Sequence, residues 1–473
     1  MVDAVEIGPM TPAEAAAHEA AAGRHAGASG FAQFCWALCD GSRSPFNVLV
    51  NIFVFSAYFS TVVITDPVKG QATWSLLTSI ASLIIALTAP VLGAIADAGG
   101  RRKPWLAACL VVFAPCMLAT WWAEPGMTSG LIKVMAPLIV AQVVFEYWNV
   151  FCSAMLPNVA PSGRIGFLSG LGFSLGNAMG ILTFLFFLFF LFAWSWNPHP
   201  LFGLDSATHQ PERAVGVLAA LCLVAFGLPL FFFTPDSPGS RRSIPEAVSH
   251  GLRQLWATVR KISHYKNLGV FLLSRMSYNE GFIALMLFTG VFAAGILHWN
   301  ARMLAVEGLA NSVVAVIAGL FAGWLDTRVG SKRATMVFVI GCLIANVVIF
   351  SVTPDMVFFV HIDRLATSTG GLYPALPDKV FLVAQCSIAF FVTGGLVTSR
   401  AMMAKLSPRE MLTEFFGIYS LSGTATTFVG PAAIGILTVL FHAQRAGVLV
   451  GVFFLLVGML ILFAVKEPRE AAP

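Results

Sequence analysis

Charged residues are scarce in this sequence. Only 11% of its 473 residues are Asp, Glu, Lys or Arg, and 58% are hydrophobic, whereas a soluble domain carries about 25% charged residues. So little charge excludes an ordinary water-exposed domain. The composition fits a lipid bilayer, where the backbone must satisfy its own hydrogen bonds and only helices or closed barrels cross.

Motifs for metal, disulfide and nucleotide chemistry are missing as well. The eight cysteines form no CxxC pair and have no histidine at ligand spacing, so we interpret them as small apolar fillers. No GxxxxGK[ST] phosphate loop occurs, which disfavours an ATP-driven motor. The net charge of +5 gives no reason to expect a nucleic-acid partner. We therefore expect no metal, no cofactor and no enzyme active site.

What the sequence does contain is a series of long apolar runs. A helix that crosses the bilayer needs about 20 mostly apolar residues, and these runs are too long for barrel strands. The predicted fold class is an all-α integral membrane protein with twelve transmembrane helices. The predicted spans, numbered 1 to 12, cover residues 45–65, 74–96, 105–123, 132–156, 165–195, 214–234, 268–297, 303–325, 334–353, 379–399, 411–438 and 444–465.

The distribution of lysine and arginine predicts the orientation. Twelve spans place both chain ends on one side of the membrane, and that side holds nineteen of the 28 cations. The other side holds seven, while Arg43 and Arg275 fall at the edge of a span or inside one. Because cytoplasmic loops carry the excess of Lys and Arg, we predict a multi-pass cell-membrane protein with both termini in the cytoplasm.

The spans divide the chain into a cytoplasmic tail, a six-helix bundle, a cytoplasmic linker, a second six-helix bundle and a C-terminal tail, over residues 1–30, 31–235, 236–267, 268–465 and 466–473. In the linker, Ser243 and Glu246 have capping-box spacing, and apolar residues follow at helical spacing. This predicts an amphipathic helix along the inner membrane surface. A solvated linker without regular structure is the alternative.

The two bundles share short sequence features. The stretch GAIADAGGRR (93–102) follows span 2, and AGWLDTRVGSKR (322–333) follows span 8. The pattern Gly-x2-Ser-x2-Gly in span 5 recurs 251 residues later in span 11, and Asp40-Gly41 is echoed by Glu280-Gly281. Such internal repeats are typical of secondary transporters, which bind substrate between their halves.

With these residues the chain resembles the major facilitator superfamily. GAIADAGGRR is similar to its signature between spans 2 and 3, with Ala98 where an Arg is common. GGRRKPWL, PNVAPSGRIGFLSGLGFSLGN and SRAMMAKLSPREMLTEFFGIYSLSG narrow the resemblance to the branch of the fungal autophagy-related vacuolar amino-acid effluxer and its bacterial relatives. The resemblance implies two pseudo-symmetric six-helix bundles, the major facilitator fold, and transport by alternating access.

The resemblance also implies gating residues in the loops that follow spans 2 and 8. Asp97 is expected to meet the N-terminal end of span 11 in one conformation, because a carboxylate is favoured at a helix N-terminus. A turn-stabilising role for Asp97 is the alternative. The gating residues expected in these loops are Asp97, Gly100, Arg101, Arg102 and Asp326.

Polar residues inside the spans are candidates for function, because a charge at the centre of a membrane helix costs about 2.5–3.5 kcal/mol on insertion scales. The polar residues of span 4 share one helical face, which is expected to face the substrate cavity. The alternative is that this face forms structural hydrogen bonds with a neighbouring helix. The candidates for substrate binding or coupling are Asn47, Asn51, Gln142, Glu146, Asn149, Arg275, Tyr278, Asn279 and Glu280.

Three charged residues carry more specific expectations. Asp40 and Arg43 are three residues apart and are expected to pair as a gate near the cytoplasmic end of span 1. Arg275 is expected to pair with Glu146 or Asp40 across the halves, or to bind a substrate carboxylate. A purely structural ion pair is the alternative for Arg275.

These features predict a secondary active transporter for a small polar solute, with an amino acid as the class that the resemblance implies. The expected partners are that solute, the bilayer and, if transport is coupled, protons; the protein is expected to be monomeric. Proton coupling needs a carboxyl group that is protonated in the working pH range, and Glu280 and Glu146 are the candidates. Facilitated diffusion needs neither, and a transporter-like solute sensor is the alternative function.

Overall fold

The computed structural model describes residues 28–98, 101–160, 165–191, 200–236, 265–363, 371–407 and 412–466, with single positions at Glu246, Ser249, Arg253 and Arg260. Twelve helices in this part of the chain are long and apolar enough to cross a membrane. The prediction of an all-α protein with twelve spans is therefore confirmed.

The spans are built from α-helices with a few π-helical and 3₁₀ turns. The α-helices are Gly30–Gly41, Phe55–Tyr58, Pro67–Ala98, Lys103–Leu118, Ile132–Val159, Ile165–Phe186, Gln210–Phe233, Lys266–Ile296, Ala301–Val329, Ser331–Ser351, Leu376–Leu406, Leu412–Thr424, Val429–Leu440 and Gln444–Ala464. The π-helical segments are Phe46–Phe53, Phe59–Val63 and Phe187–Leu191, and the 3₁₀ turns are Ala119–Trp122 and Leu201–Gly203.

Span 1 begins at Gly30, not at residue 45, so Asp40 and Arg43 lie within the span and not before it. Their role as a gate near the cytoplasmic end stays a prediction. Ser29 caps the helix by accepting a hydrogen bond from the Ala32 amide at 3.3 Å. The mutual pairing of Asp40 and Arg43 lets both charges lie inside the span. A hydropathy pattern counts the two charges and not their pairing, which is why it placed the start too late.

The helix of span 1 is interrupted after Gly41. Pro45 precedes a π-helical stretch, Phe46–Phe53, and proline disturbs a helix because it lacks an N–H and its ring clashes with an earlier carbonyl. π-Turns inside helices are frequent at functional sites. The predicted site residues Asn47 and Asn51 lie on this stretch.

Span 11 is broken at its centre, where the sequence predicted one continuous helix. It consists of Leu412–Thr424 and Val429–Leu440, joined by a turn at residues 425–428. Pro431 lies in the first turn of the second helix, where a missing N–H costs nothing. The break leaves a helix N-terminus in the middle of the bundle.

Because an even number of spans returns the chain to its starting side, residues 28 and 466 lie on one face, here called the terminal face. On this face each half has a lysine that donates hydrogen bonds to backbone carbonyls at a helix end. The Lys103 ammonium donates to the Phe231 carbonyl at 2.7 Å, and the Lys332 ammonium donates to the Phe463 and Val465 carbonyls at 2.9 and 2.6 Å. Each lysine satisfies carbonyls at the end of the last helix of its own half.

On the other face, here called the opposite face, polar side chains join the halves. Gln71 of span 2 donates to the Thr438 hydroxyl at 2.6 Å and to the Gln444 carbonyl at 3.1 Å. Gln444 in turn donates to the Pro67 carbonyl at 2.9 Å. All of these groups lie close to the helix ends of spans 2, 11 and 12, so this network closes the seam near the opposite face.

Glycines allow close contact between the halves near the same face. A Cβ atom at Gly290 of span 7 would lie 2.5 Å from the Ile52 carbonyl oxygen and 2.7 Å from that of Phe53 in span 1. Gly308 of span 8 lies directly against the ring of Phe184 in span 5. Residues larger than glycine at these two positions would therefore separate the halves.

One small element was not predicted. It is a β-hairpin between spans 9 and 10 that pairs Met356–Val357 with Val360–His361. The tails and most of the mid-chain linker, with its predicted amphipathic helix, lie outside the described residues. The four single linker positions are helical and exposed.

Candidate functional site

The first half contains a half-buried cluster of charged side chains. Arg43 Nη2 lies 2.5 Å from Asp40 Oδ1, and Arg43 Nε donates to the Asp40 carbonyl at 3.1 Å. Arg43 is also within electrostatic reach of Glu146 on span 4. One cation therefore lies beside two carboxylates, and the side chains of Asp40 and Arg43 remain 16% and 21% exposed.

Polar residues continue this cluster along one face of span 4. Asn149 donates to Glu146 Oε1 at 3.1 Å, and the Ser153 hydroxyl donates to Asn149 Oδ1 at 3.4 Å. Gln142 donates to Asn51 Oδ1 of span 1 at 3.3 Å. Asn47 lies half-buried one turn before Asn51. Spans 1 and 4 together thus present a strip of polar groups.

Arg275 of span 7 is buried against span 11. Its Nη1 donates to the Tyr419 carbonyl and to the Ser422 hydroxyl, both at 2.7 Å, and the guanidinium carbon lies 3.6 Å from the centre of the Tyr419 ring. Within the described part of the chain no carboxylate forms an ion pair with Arg275. The expected pairing with Glu146 or Asp40 is therefore wrong, because a carbonyl, a hydroxyl and an aromatic face hold this cation.

Tyr278 and Asn279 fasten span 7 to its neighbours. The Tyr278 hydroxyl is fully buried and lies 2.7 Å from the Ser399 hydroxyl, which also accepts from the Tyr419 hydroxyl at 3.1 Å. Asn279 donates to the Gly423 carbonyl at 3.3 Å. These bonds join spans 7, 10 and 11, and Tyr278 has no exposed surface with which to meet a solute.

Glu280 faces the break in span 11. Its Oε2 accepts a hydrogen bond from the Gly430 amide at 3.0 Å, in the first turn of Val429–Leu440. The other oxygen, Oε1, is buried without a hydrogen-bond partner among the described residues, with Thr426 nearby. A carboxylate is favourable at a helix N-terminus, so Glu280 stabilises the discontinuity of span 11.

The repeat brings Asp40 and Arg275 to equivalent places. A Cβ atom at Gly172 of span 5 would lie 2.8 Å from Asp40 Oδ2, and one at Gly423 of span 11 would lie 2.9 Å from Arg275 Nη2. Gly172 and Gly423 are the residues related by the 251-residue offset. The counterpart of Asp40 is therefore Arg275, and the expected match with Glu280 is wrong.

The predicted gating residues are only partly described. Gly100, the Asp97 side chain and residues 408–411 lie outside the described residues, so the latch between Asp97 and span 11 stays a prediction. Asp326 lies 3.5 Å from Lys405 and ties span 8 to span 10. Arg101 is exposed, whereas Arg102 is buried.

The start of span 3 is fixed by an acid from the end of span 6. The backbone amides of Arg102 and Lys103 donate to the two carboxylate oxygens of Asp236 at 2.9 and 3.2 Å. This carboxylate satisfies amides that have no partner within the helix. The backbone at Arg102 is thereby held to the first bundle.

One buried acid was missed by the sequence analysis. Glu307 of span 8 has no exposed surface, and it stands alone in the apolar run MLAVEGLANSVV. A single carboxylate inside an apolar membrane span is by itself enough to mark a candidate functional residue. The partnership of Arg275 with Tyr419 and the break in span 11 had no comparable signal, since both depend on contacts between distant spans.

Comparison with known proteins gives a family and a fold. A sequence profile of the family described as "Vacuole effluxer Atg22 like" matches residues 59–165 and 161–472. The Bacillus subtilis protein "Uncharacterized MFS-type transporter YxiO" is 23% identical over 437 residues, which are 91% of this chain and 94% of that protein. "Autophagy-related protein 22" of Cryptococcus neoformans is 23% identical over 283 residues, 58% of this chain and 48% of that protein.

The fold is similar to that of solved transporters. The crystal structure of the nucleoside transporter NupG superposes with a TM-score of 0.62 over 92% of this chain and 99% of that one, at 11% sequence identity. At this identity the likeness shows the fold alone. The two six-helix halves are those of the major facilitator fold.

Proposed function

Because the chain belongs to the family described as vacuole effluxer Atg22 like, we propose that it carries a zwitterionic amino acid across the membrane by alternating access. Its relatives are transporters and not enzymes, and it is a multi-pass membrane protein of their fold. The proposal concerns the class of the substrate, the coupling of transport to protons and the orientation of the chain in the membrane.

The half-buried cluster of Asp40, Arg43 and Glu146 carries the proposal. An amino acid at neutral pH bears a carboxylate and an ammonium group a few bonds apart. Arg43 is a matching donor for the carboxylate, and Glu146 is a matching acceptor for the ammonium. Asn47, Asn51, Gln142 and Asn149 add hydrogen-bonding groups along the same strip.

Residues of the second half are proposed to position the helices around this site. Arg275, Tyr278 and Asn279 hold spans 7, 10 and 11 together, and Glu280 stabilises the break in span 11. We assign these residues to positioning and not to direct contact with the solute. The broken helix is a feature of transporter binding sites, where half-helix ends face the substrate region.

The distribution of contacts between the halves supports alternating access. The halves are joined near the opposite face through Gln71, Gln444 and Gly290. In contrast, the hydrogen bonds of the Arg43 cluster stay within the first half, and those of Arg275 stay within the second, as far as the described residues go. We therefore propose that the solute reaches the site from the terminal face in this conformation.

The excess of cations on the terminal face supports a cytoplasmic orientation of that face in the cell membrane. With that orientation the conformation is open to the cytoplasm. The carrier is proposed to act as a monomer, because the solute site is formed within one chain.

Solute counterflow in liposomes tests the substrate class. Purified protein is reconstituted with an unlabelled amino acid inside, and uptake of the labelled amino acid is measured over a panel that also includes a nucleoside and a pentose. We expect at least one amino acid to exchange. Exchange of only the nucleoside or the pentose contradicts the proposal, and binding without any exchange favours a sensor.

A matched pair of variants locates the site. Glu146→Gln removes the proposed partner of the ammonium group, and we expect a loss of about tenfold or more in exchange, since one lost charge contact is worth more than about 1.4 kcal/mol. Glu124→Gln removes an exposed carboxylate near the opposite face and should leave exchange unchanged. Equal rates in both variants would reject the assignment of Glu146.

A further inference from the structure

Glu307 lies in span 8 with no exposed surface. Its Oε1 accepts a hydrogen bond from the Thr289 hydroxyl of span 7 at 3.4 Å, and its Oε2 is buried without a hydrogen-bond partner among the described residues. An ionised carboxylate buried without a cation is strongly disfavoured, because the lost hydration is not replaced. Nothing in the transport site described above uses this group.

In the described part of the chain, the polar groups around Glu307 are neutral, and its burial is not compensated by a cation. Asn311 follows it by four residues and therefore lies on the same helical face, close to the carboxyl group. The Asn311 side-chain oxygen is also buried without a partner in the described structure. An ionised carboxylate and an amide oxygen only accept hydrogen bonds, whereas a protonated carboxyl group donates one. Protonation would remove the uncompensated charge of Glu307 and turn the unpaired Oε2 into a donor beside an unpaired acceptor.

The other titratable groups that face Glu307 come from span 10 and the segment before it. They are Tyr373, whose hydroxyl donates to the Met303 carbonyl at 2.6 Å, and Cys386. Span 7 contributes only the Thr289 hydroxyl, and span 5 contributes the ring of Phe184 beside Gly308. No Lys, Arg or His of the described residues pairs with Glu307, so a negative charge would lack compensation.

The position of Glu307 connects it to the contact between the halves. The next residue, Gly308, lies against Phe184 of the first half, and the neighbour of Thr289, Gly290, lies against the carbonyls of Ile52 and Phe53. Both helix-to-helix contacts must part when the halves separate near the opposite face. Separation would expose Thr289 and Glu307 to water from that side, and closure would seal them again.

We propose that Glu307, with Thr289 and Asn311, is the proton-binding site of this carrier. A proton from water at the opposite face forms an O–H bond with Glu307 when the halves part, and closure buries the neutral carboxyl group. The O–H bond breaks and the proton returns to water when the site is hydrated again. This inference rests on the proposed transport function for its role in coupling.

Infrared difference spectroscopy of the reconstituted protein tests the site without any substrate. Across a pH series, the wild type should show the carbonyl band of a protonated carboxyl group in an apolar environment. Glu307→Gln should lose that band, Glu307→Asp should restore one, and Glu124→Gln should keep it. A band that persists unchanged in Glu307→Gln would overturn the proposal.

Transport then separates this inference from the proposed function. In liposomes with an imposed pH gradient, Glu307→Gln should reduce amino-acid accumulation to the level seen without a gradient, while counterflow continues. Accumulation that still follows the gradient in Glu307→Gln would overturn the inference and leave the transport function standing. Loss of the infrared band in a protein that exchanges no amino acid would instead reject the proposed substrate and keep the proton site.

Discussion

Single ionisable residues in this membrane protein are held by different partners in each half. Asp40 has a neighbouring cation, Arg43, whereas Arg275 at the equivalent place is held by a carbonyl, a hydroxyl and an aromatic ring. An arginine can be buried in this way because its planar guanidinium stacks on a ring and keeps several donors free for acceptors. The same fold therefore carries opposite charges at matching positions.

Arg275→Lys tests the contribution of this geometry. Lysine keeps the charge but loses the stacking on Tyr419 and the two hydrogen bonds that Arg275 Nη1 donates to span 11, so we expect a loss of about 1–3 kcal/mol of stability. The measurement is thermal unfolding in detergent. Arg253→Lys, at an exposed helical position of the linker, is the control and should melt like the wild type. Equal melting of both variants would mean that charge alone holds span 7 to span 11.

His209 gives a pH-dependent prediction near the opposite face. It precedes span 6, and its Nδ1 lies 3.3 Å from Glu212 Oε1. This hydrogen bond raises the pKa of His209 above its ordinary value of 6.5. A pKa that is raised on folding means that the protonated form stabilises the fold. The contribution is complete below the ordinary pKa and is lost as pH rises through the raised one.

We therefore expect the melting temperature of the wild type to exceed that of His209→Gln most at acidic pH. The difference should shrink as pH rises through and above the ordinary pKa. His298→Gln is the control, because His298 shares the left-handed backbone of His209, with φ values of 59° and 55°. A difference that grows with rising pH would contradict the assigned pairing.

At the scale of helices, the contacts between spans depend on glycines placed against polar side chains. Gly172 lies against Asp40, and Gly423 lies against Arg275. Small residues let membrane helices approach closely, and here the space of each absent side chain is filled by a charged group of the neighbouring helix. The last glycine of the repeated Gly-x2-Ser-x2-Gly pattern thus has a structural cause in both halves.

Gly172→Ala tests this contact. The added methyl group would lie 2.8 Å from Asp40 Oδ2, so we expect a loss of about 1–3 kcal/mol from overpacking together with reduced exchange activity. Gly170→Ala, on the same helix with no atom within 4 Å of the added group, should behave like the wild type. Thermal unfolding of the two variants provides the comparison. Similar losses in both would mean that span 5 tolerates no substitution, whatever its contacts.

Helix existence was predictable in this chain, and helix continuity was not. The twelve apolar runs were visible because each span must present about 20 apolar residues to lipid. The turn at 425–428 interrupts one such run without changing its hydropathy. It is stabilised by Glu280, which lies about 150 residues away in sequence. The late predicted start of span 1 has a related cause, since two paired charges look like a boundary.

At the scale of the whole molecule, the conformation is set by the contact between the halves near the opposite face. Gly290 brings span 7 against the backbone of span 1, and Gln71 bonds to spans 11 and 12. Alternating access requires these contacts to part, so residues that weaken them shift the balance toward the other conformation. The balance is a population shift between two packings.

Gly290→Ala should shift that balance. The added methyl group would lie 2.5 Å from the Ile52 carbonyl oxygen, so closure near the opposite face becomes less favourable. Spin labels at Glu124 and His442, one exposed position on each half, should move apart in this variant. The eight native cysteines are buried or half-buried in the structure, which favours labelling of the two introduced ones.

Gly319→Ala, where the added group meets no atom within 4 Å, is the matched control and should leave the distance between the labels unchanged. A Gly290→Ala variant with the wild-type distance and full exchange activity would show that the halves close without this contact.

The sequence alone determined the membrane environment, the number of spans, the repeat and the candidate polar residues of spans 1, 4 and 7, because hydropathy and local spacing are properties of neighbouring residues. The local pairing of Asp40 with Arg43, three residues apart, was expected from the sequence and is confirmed. Only the tertiary structure decided the contacts between distant spans. It placed Arg275 on Tyr419, put Glu280 at a helix break and left Glu307 buried beside the contact between the halves. These outcomes depend on how helices from distant parts of the chain pack against one another, and hydropathy does not encode that packing.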